Sequence, residues 1–195
     1  MRATARQETK TDGDRTRWSR WRHAALTIPV ITTAIVTLMA VMPPGGHFPL
    51  VLAAVPAWLV SGLVWLGALL LRGYRRSLWV LAPPLAALVT FALAALDVPM
   101  KAAFLVSEPA LTRYVESVPG EKRWGESNTR DHVGLFTVGQ VLRRDGVTEL
   151  VMADSGGFLE DCGFAYSPHG GAGLLDFSSV DRLTDRWYAV CIDYD

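Results

Sequence analysis

The chain has 195 residues, half of them apolar, and its 19 Lys and Arg balance 19 Asp and Glu. A mean hydropathy of +0.23 is high for a chain destined for water alone, which excludes a purely soluble cytosolic enzyme. The neutral total hides an asymmetry, with seven basic against three acidic residues in 1–22 and nine against fifteen in 98–195, so a nucleic-acid partner is not expected.

Residues 1–22 carry the basic cluster Arg2, Arg6, Lys10, Arg15, Arg17, Arg20 and Arg22. The segment is polar, and it reads as a disordered cytoplasmic stretch that sets topology and attracts anionic lipid. A membrane region then covers 23–97, with expected spans over 24–42, 50–71 and 78–97. The first two are uncharged throughout, and the third meets its first charge at Asp97. A charge at bilayer depth costs at least ~2.5 kcal/mol, so such runs predict transmembrane helices. Pro29, Pro56 and the pair Pro83–Pro84 predict kinks. On the third span Ala82, Ala86, Thr90 and Ala94 recur every four residues, forming a small-residue strip for helix packing. Arg72, Arg75 and Arg76 join the N-terminal basic group on one side. The other side offers only Lys101 and Arg113 within 98–117, which places the N-terminus in the cytoplasm and the C-terminus outside.

From 98 to 195 the composition becomes that of a water-exposed domain. Ser107 and Pro109 predict the start of a helix that Pro119-Gly120 ends. Strand-like runs follow at His132–Leu142, Val147–Ala153 and Phe158–Tyr166. The first two flank Asp145-Gly146, a hairpin signal. Leu174–Arg186 reads either as loop or as a helical turn. Trp187–Tyr194 alternates most clearly, with Tyr188, Val190, Ile192 and Tyr194 on one face and Trp187, Ala189 and Cys191 on the other. The expected fold is therefore a three-helix membrane region plus a small extracytoplasmic α+β domain with a mostly antiparallel sheet.

Cys162 and Cys191 are the only cysteines, and both lie in this outer domain, which predicts a disulfide. No His or third Cys is spaced to complete a metal site, so neither metal nor cofactor is expected. Catalytic candidates are sparse. Asp154-Ser155-Gly156-Gly157 resembles the nucleophile segment of chymotrypsin-like serine proteases, and His132, Asp145 and Ser155 keep that family's chain order. They are too close in sequence, and the domain too short, for a triad assembled across two barrels. Val151–Gly156 also resembles an aspartic-protease turn, which would need a second copy to pair its carboxylate. A strand ending in a polar turn accounts for the same residues by backbone needs alone. His23, His47, His132 and His169 are scattered, and His169 beside Glu160, Asp161 or Asp176 is the remaining acid–base candidate.

The stretch Gly157-Phe158-Leu159-Glu160-Asp161-Cys162-Gly163-Phe164-Ala165-Tyr166-Ser167-Pro168, with Arg186-Trp187-Tyr188, resembles a pattern in small multi-pass membrane proteins of actinobacteria that carry a C-terminal extracytoplasmic domain. That resemblance implies a plasma-membrane location and no catalysis. The functional expectation is a non-catalytic envelope module that meets the lipid bilayer and binds an envelope protein or cell-wall component. The alternatives are a membrane-anchored hydrolase using Asp154, Ser155 or His169, and a small transporter subunit.

Overall fold

The computed structural model describes residues 27–70, 78–118, 130–144, 146–153, 155–157, 159–170 and 177–193. The basic N-terminal segment, the start of the first expected span, Arg72, Arg75 and Arg76, Asp145, Asp154 and Asp176 lie outside the described residues. The chain divides into two compact units, one of residues up to Ile35 with Ala54–Thr90, the other of Val36–Ala53 with Phe91–Asp195.

Apolar composition gives the first helices their length. Helix α1 (Thr27–Ala40) is short, whereas α2 (Phe48–Leu69) has 22 residues and is long and apolar enough to cross a membrane. A 3-10 turn (Leu78–Leu81) leads into α3 (Ala82–Ala95), and α4 (Val98–Ser117) follows after a two-residue break. The stretch Trp79–Ala95 passes the same length and apolarity test only jointly with α4, as a pair bent by 55°. Among the described residues, then, one helix qualifies as a span by itself where three were expected. Pro56 sits inside α2 without ending it.

Burial on these helices runs opposite to the pattern in water. On α1, Val30, Thr33, Thr37 and Ala40 are buried while Ile28, Ile31, Ile35 and Met39 are exposed. On α2, Ala54, Ser61 and Ala68 are buried, seven residues apart, while Leu52, Leu59, Leu63 and Leu66 face out. On α3, Thr90 is buried and Ala82, Ala86 and Ala94 are half-buried, while Leu85, Leu88 and Phe91 are exposed. Small and hydroxylic side chains point inward, and they bond there: Thr33 and Ser61 meet at 3.3 Å, and the Thr90 hydroxyl donates to the Ala86 carbonyl at 2.7 Å.

The predicted start of α4 is corrected. The helix begins at Val98, after Asp97 in a left-handed conformation (φ 53°), with a proline in its first turn. That proline is Pro99, whose fixed φ suits this position and whose missing N–H is not needed there. Ser107 lies mid-helix, where its hydroxyl accepts from the Leu135 backbone N–H at 2.9 Å instead of capping. Pro109 is internal.

Six strands form one antiparallel sheet in the order β1-β2-β3-β4-β6-β5. They are β1 (Asp131–Val133), β2 (Phe136–Arg144), β3 (Val147–Met152), β4 (Glu160–Tyr166), β5 (Ser179–Arg182) and β6 (Trp187–Asp193). The single run expected from His132 is split by Gly134 at φ +63°. A side chain on Gly134 would strike Ser107, so this turn fits only glycine. The ambiguous segment before Arg186 contains β5. Alternation on β6 is as read: Trp187 and Ala189 join the core beneath α4 with Phe104, Leu111, Val141, Leu150 and Phe164. Tyr188 and Val190 join a smaller cluster with Val147 and Ala165 on the opposite face. The Phe104 ring packs tilted against Phe164 and edge-on to Trp187, with centroids 5.2 Å and 5.8 Å away.

Candidate functional site

Residues 40–47 form a tight loop because Gly45 and Gly46 adopt φ of +70° and +76°. The His47 N–H donates to the Ala40 carbonyl at 2.6 Å, and the Gly156 N–H donates to the Gly46 carbonyl at 2.9 Å. A parallel bridge pairs His47 with Gly156. Gly45 lies so close to the Cys162 sulfur that a β-carbon there would overlap it. This loop is therefore stitched onto β4, at the cysteine pair.

Cys162 and Cys191 are directly opposite on β4 and β6, with Cα atoms 4.2 Å apart and sulfurs at bonding distance. Their separation matches the narrow, non-hydrogen-bonded pairs of an antiparallel ladder, of about 4.5 Å. Glu160, Cys162 and Cys191 bring their donor atoms within 4.8 Å of one another. With the sulfurs joined to each other, neither offers the thiolate a metal needs.

The protease-like motif has a structural use. Ser155 is buried, and its hydroxyl faces two carbonyls, Cys162 at 2.6 Å and Met152 at 3.1 Å. Gly156 (φ +92°) has no room for a side chain against Glu160. His169 is exposed on the turn after β4, whose ends are tied by the Ser167 hydroxyl donating to the Gly170 carbonyl at 2.6 Å. Ser155 touches Cys162 and His169 follows Tyr166, so about 13 Å of strand separates their attachment points. Ser155 and His169 are not brought together. His132 pairs instead with Thr137 at 3.0 Å.

Two clefts stand beside these residues. The polar one has a volume of about 270 Å³ and lies between α4 and the turn joining β5 to β6. Glu108 and Thr112 come from α4, Tyr166 from β4, and Thr184, Asp185 and Arg186 from the turn. The Arg186 guanidinium donates to the Tyr166 hydroxyl at 3.4 Å, and this bond first, then nearby acids, pushes its pKa up. The Trp187 indole donates to the Thr112 hydroxyl at 3.3 Å. Carboxylates, hydroxyls and a guanidinium thus converge on one space. The second cleft, about 240 Å³, lies between the 40–47 loop and the β2–β3 strands. Met39, Met42, Leu50, Leu135, Phe136 and Met152 make it apolar, with His47 and Thr137 as its polar walls. His47 Nδ1 is buried with no hydrogen-bond partner among the described residues, an arrangement that costs about 1–3 kcal/mol.

Among the described residues one acid is buried. Glu149 in β3 is pushed above its ordinary value of 4.5 by burial, with Asp161 adding to the rise and Arg144 opposing it. Tyr114 is also raised, by burial and then by its 2.6 Å hydrogen bond to the Asp131 carboxylate.

Neither cleft was legible as a motif. Glu108 and Arg186 are 78 positions apart in sequence, and no local spacing links them. No family model matches the chain, and no curated protein or solved structure matches it.

Proposed function

We propose that this chain is a plasma-membrane protein whose three apolar segments anchor a small, non-catalytic binding domain on the outer side, with the N-terminus inside. The observation that carries the anchor is the inverted burial on α1, α2 and α3, large aliphatic side chains outward and small or hydroxylic ones inward. In water such a surface would aggregate, whereas in lipid it is the ordinary arrangement. The basic residues of 1–22, with Arg72, Arg75 and Arg76, support an inward N-terminus by their charge. The likeness of Gly157–Pro168 to actinobacterial membrane proteins supports the same location.

Binding rather than catalysis is favoured because Ser155 serves two carbonyls and His169 stands at the other end of β4. The polar cleft of Glu108, Thr112, Thr184, Asp185 and Arg186 supplies both donors and acceptors, which suits a polar envelope component. A photoreactive residue at Thr184 in intact cells should form an adduct that is absent when the same residue replaces Gln140 on β2. Arg186→Ala should weaken it several-fold. No adduct, or equal adducts at both positions, would contradict the binding role.

A further inference from the structure

We propose that the apolar cleft beside His47 is a lipid site, holding a segment of one hydrocarbon chain of a membrane phospholipid with its ester group at the imidazole. The inference rests on the membrane reading above and assigns a ligand that the anchor alone does not require.

Three observations converge on that occupant. All of the lining side chains but His47 and Thr137 are apolar, and three are methionines, whose unbranched stems adapt to a flexible chain. The lining opens to the surface through apolar residues, because Met39 of α1 and Leu135 in the turn between β1 and β2 line the cleft and are both more than half exposed, at 56% and 55%. Leu50 is a second link, one turn into α2 and followed by the exposed Val51 and Leu52.

His47 explains why the occupant is not a bare hydrocarbon. Its Nδ1 has no hydrogen-bond partner among the described residues, which leaves it a donor to offer an ester carbonyl. The loop carrying it is fixed by the Gly156–Gly46 bond and by Gly45 against Cys162, so the wall is in place before the chain enters. At about 240 Å³ the space lies below the ~300 Å³ at which small-molecule pockets begin, and so takes part of a chain, not a whole lipid.

The test uses the full chain in phosphatidylcholine–phosphatidylglycerol vesicles, with a fraction of the phosphatidylcholine carrying a mid-chain diazirine. After illumination, adducts are mapped by mass spectrometry. Adducts are expected on peptides containing Met42 or Met152, and on Leu59 and Leu63 of α2. Ala153→Leu narrows the cleft and should lower the Met42 and Met152 adducts about fivefold or more, with those on Leu59 and Leu63 unchanged. Leu135→Asp, an exposed change that leaves the core intact, should act in the same direction by placing a charge at the mouth. His47→Phe should lower the cleft adducts by a smaller factor. Labelling of Leu59 and Leu63 without Met42 or Met152 overturns the lipid site and leaves the anchor standing. Absence of all adducts overturns both. Cleft labelling that both Ala153→Leu and Leu135→Asp leave unchanged also overturns the site, and unchanged labelling in His47→Phe overturns the role given to the imidazole.

Discussion

Ser155 shows how a residue that looks catalytic can be fully engaged by backbone. One hydroxyl proton cannot serve two carbonyls at full strength, so the short contact to Cys162 dominates and the longer one to Met152 is secondary. Ser155→Ala leaves both carbonyls without this donor inside the fold. Chemical denaturation of the full chain in detergent should show a loss of about 1–3 kcal/mol. Glu149 makes the second residue-scale prediction. Burial disfavours its charge, so the folded state holds the proton to higher pH than the unfolded state does. The unfolded chain ionises first as pH rises through 4.5, and stability therefore falls from there until the folded group has also ionised. Thermal melts between acid and neutral pH should show this decline in the wild type. Glu149→Gln should flatten it and be the more stable protein at neutral pH. Cys162 and Cys191 were recognisable because no other cysteine competes, whereas His47 could not be singled out, since its significance lies in a nitrogen without a partner among the described residues, beside a cleft.

The elements were legible where one local rule governs them. Hairpin β2–β3 follows from apolar runs around an Asp-Gly turn, and β6 from strict alternation. Helix α4 was misplaced because two N-terminal signals compete. Ser107 and Pro109 carry a good cap pattern, but Asp97 with Pro99 carries another, and Leu111, Phe104 and Val115 bury together only if the helix starts at the earlier one. Strand β5 could not be read because all four of its residues are exposed, so no hydrophobic period marks it, and it exists by pairing with β6. The C-terminal end of α4 is completed from the sheet. Arg143 in β2 donates to the Val115 carbonyl at 3.0 Å and the Val118 carbonyl at 2.7 Å, meeting groups a helix end leaves unpaired. Arg143→Met keeps the aliphatic stem and removes both bonds. A destabilisation of about 1–3 kcal/mol is expected, read by thermal unfolding.

At the scale of the whole molecule, composition decides more than any motif. Among the described residues the leucines of the long uncharged helix α2 face outward while small residues face in, and this exposed apolar surface is what the proposed membrane anchor rests on. A cysteine pair set on adjacent strands is most readily kept in an oxidising compartment, which agrees with a domain carried across the membrane. The second argument, and the proposed outer binding role with it, depends on which side of the membrane holds residues 98–195. An epitope fused after Asp195 should be removed by protease added to intact cells, while one fused before Met1 should survive until the membrane is opened. Protection of the C-terminal epitope until lysis would contradict the account at its root.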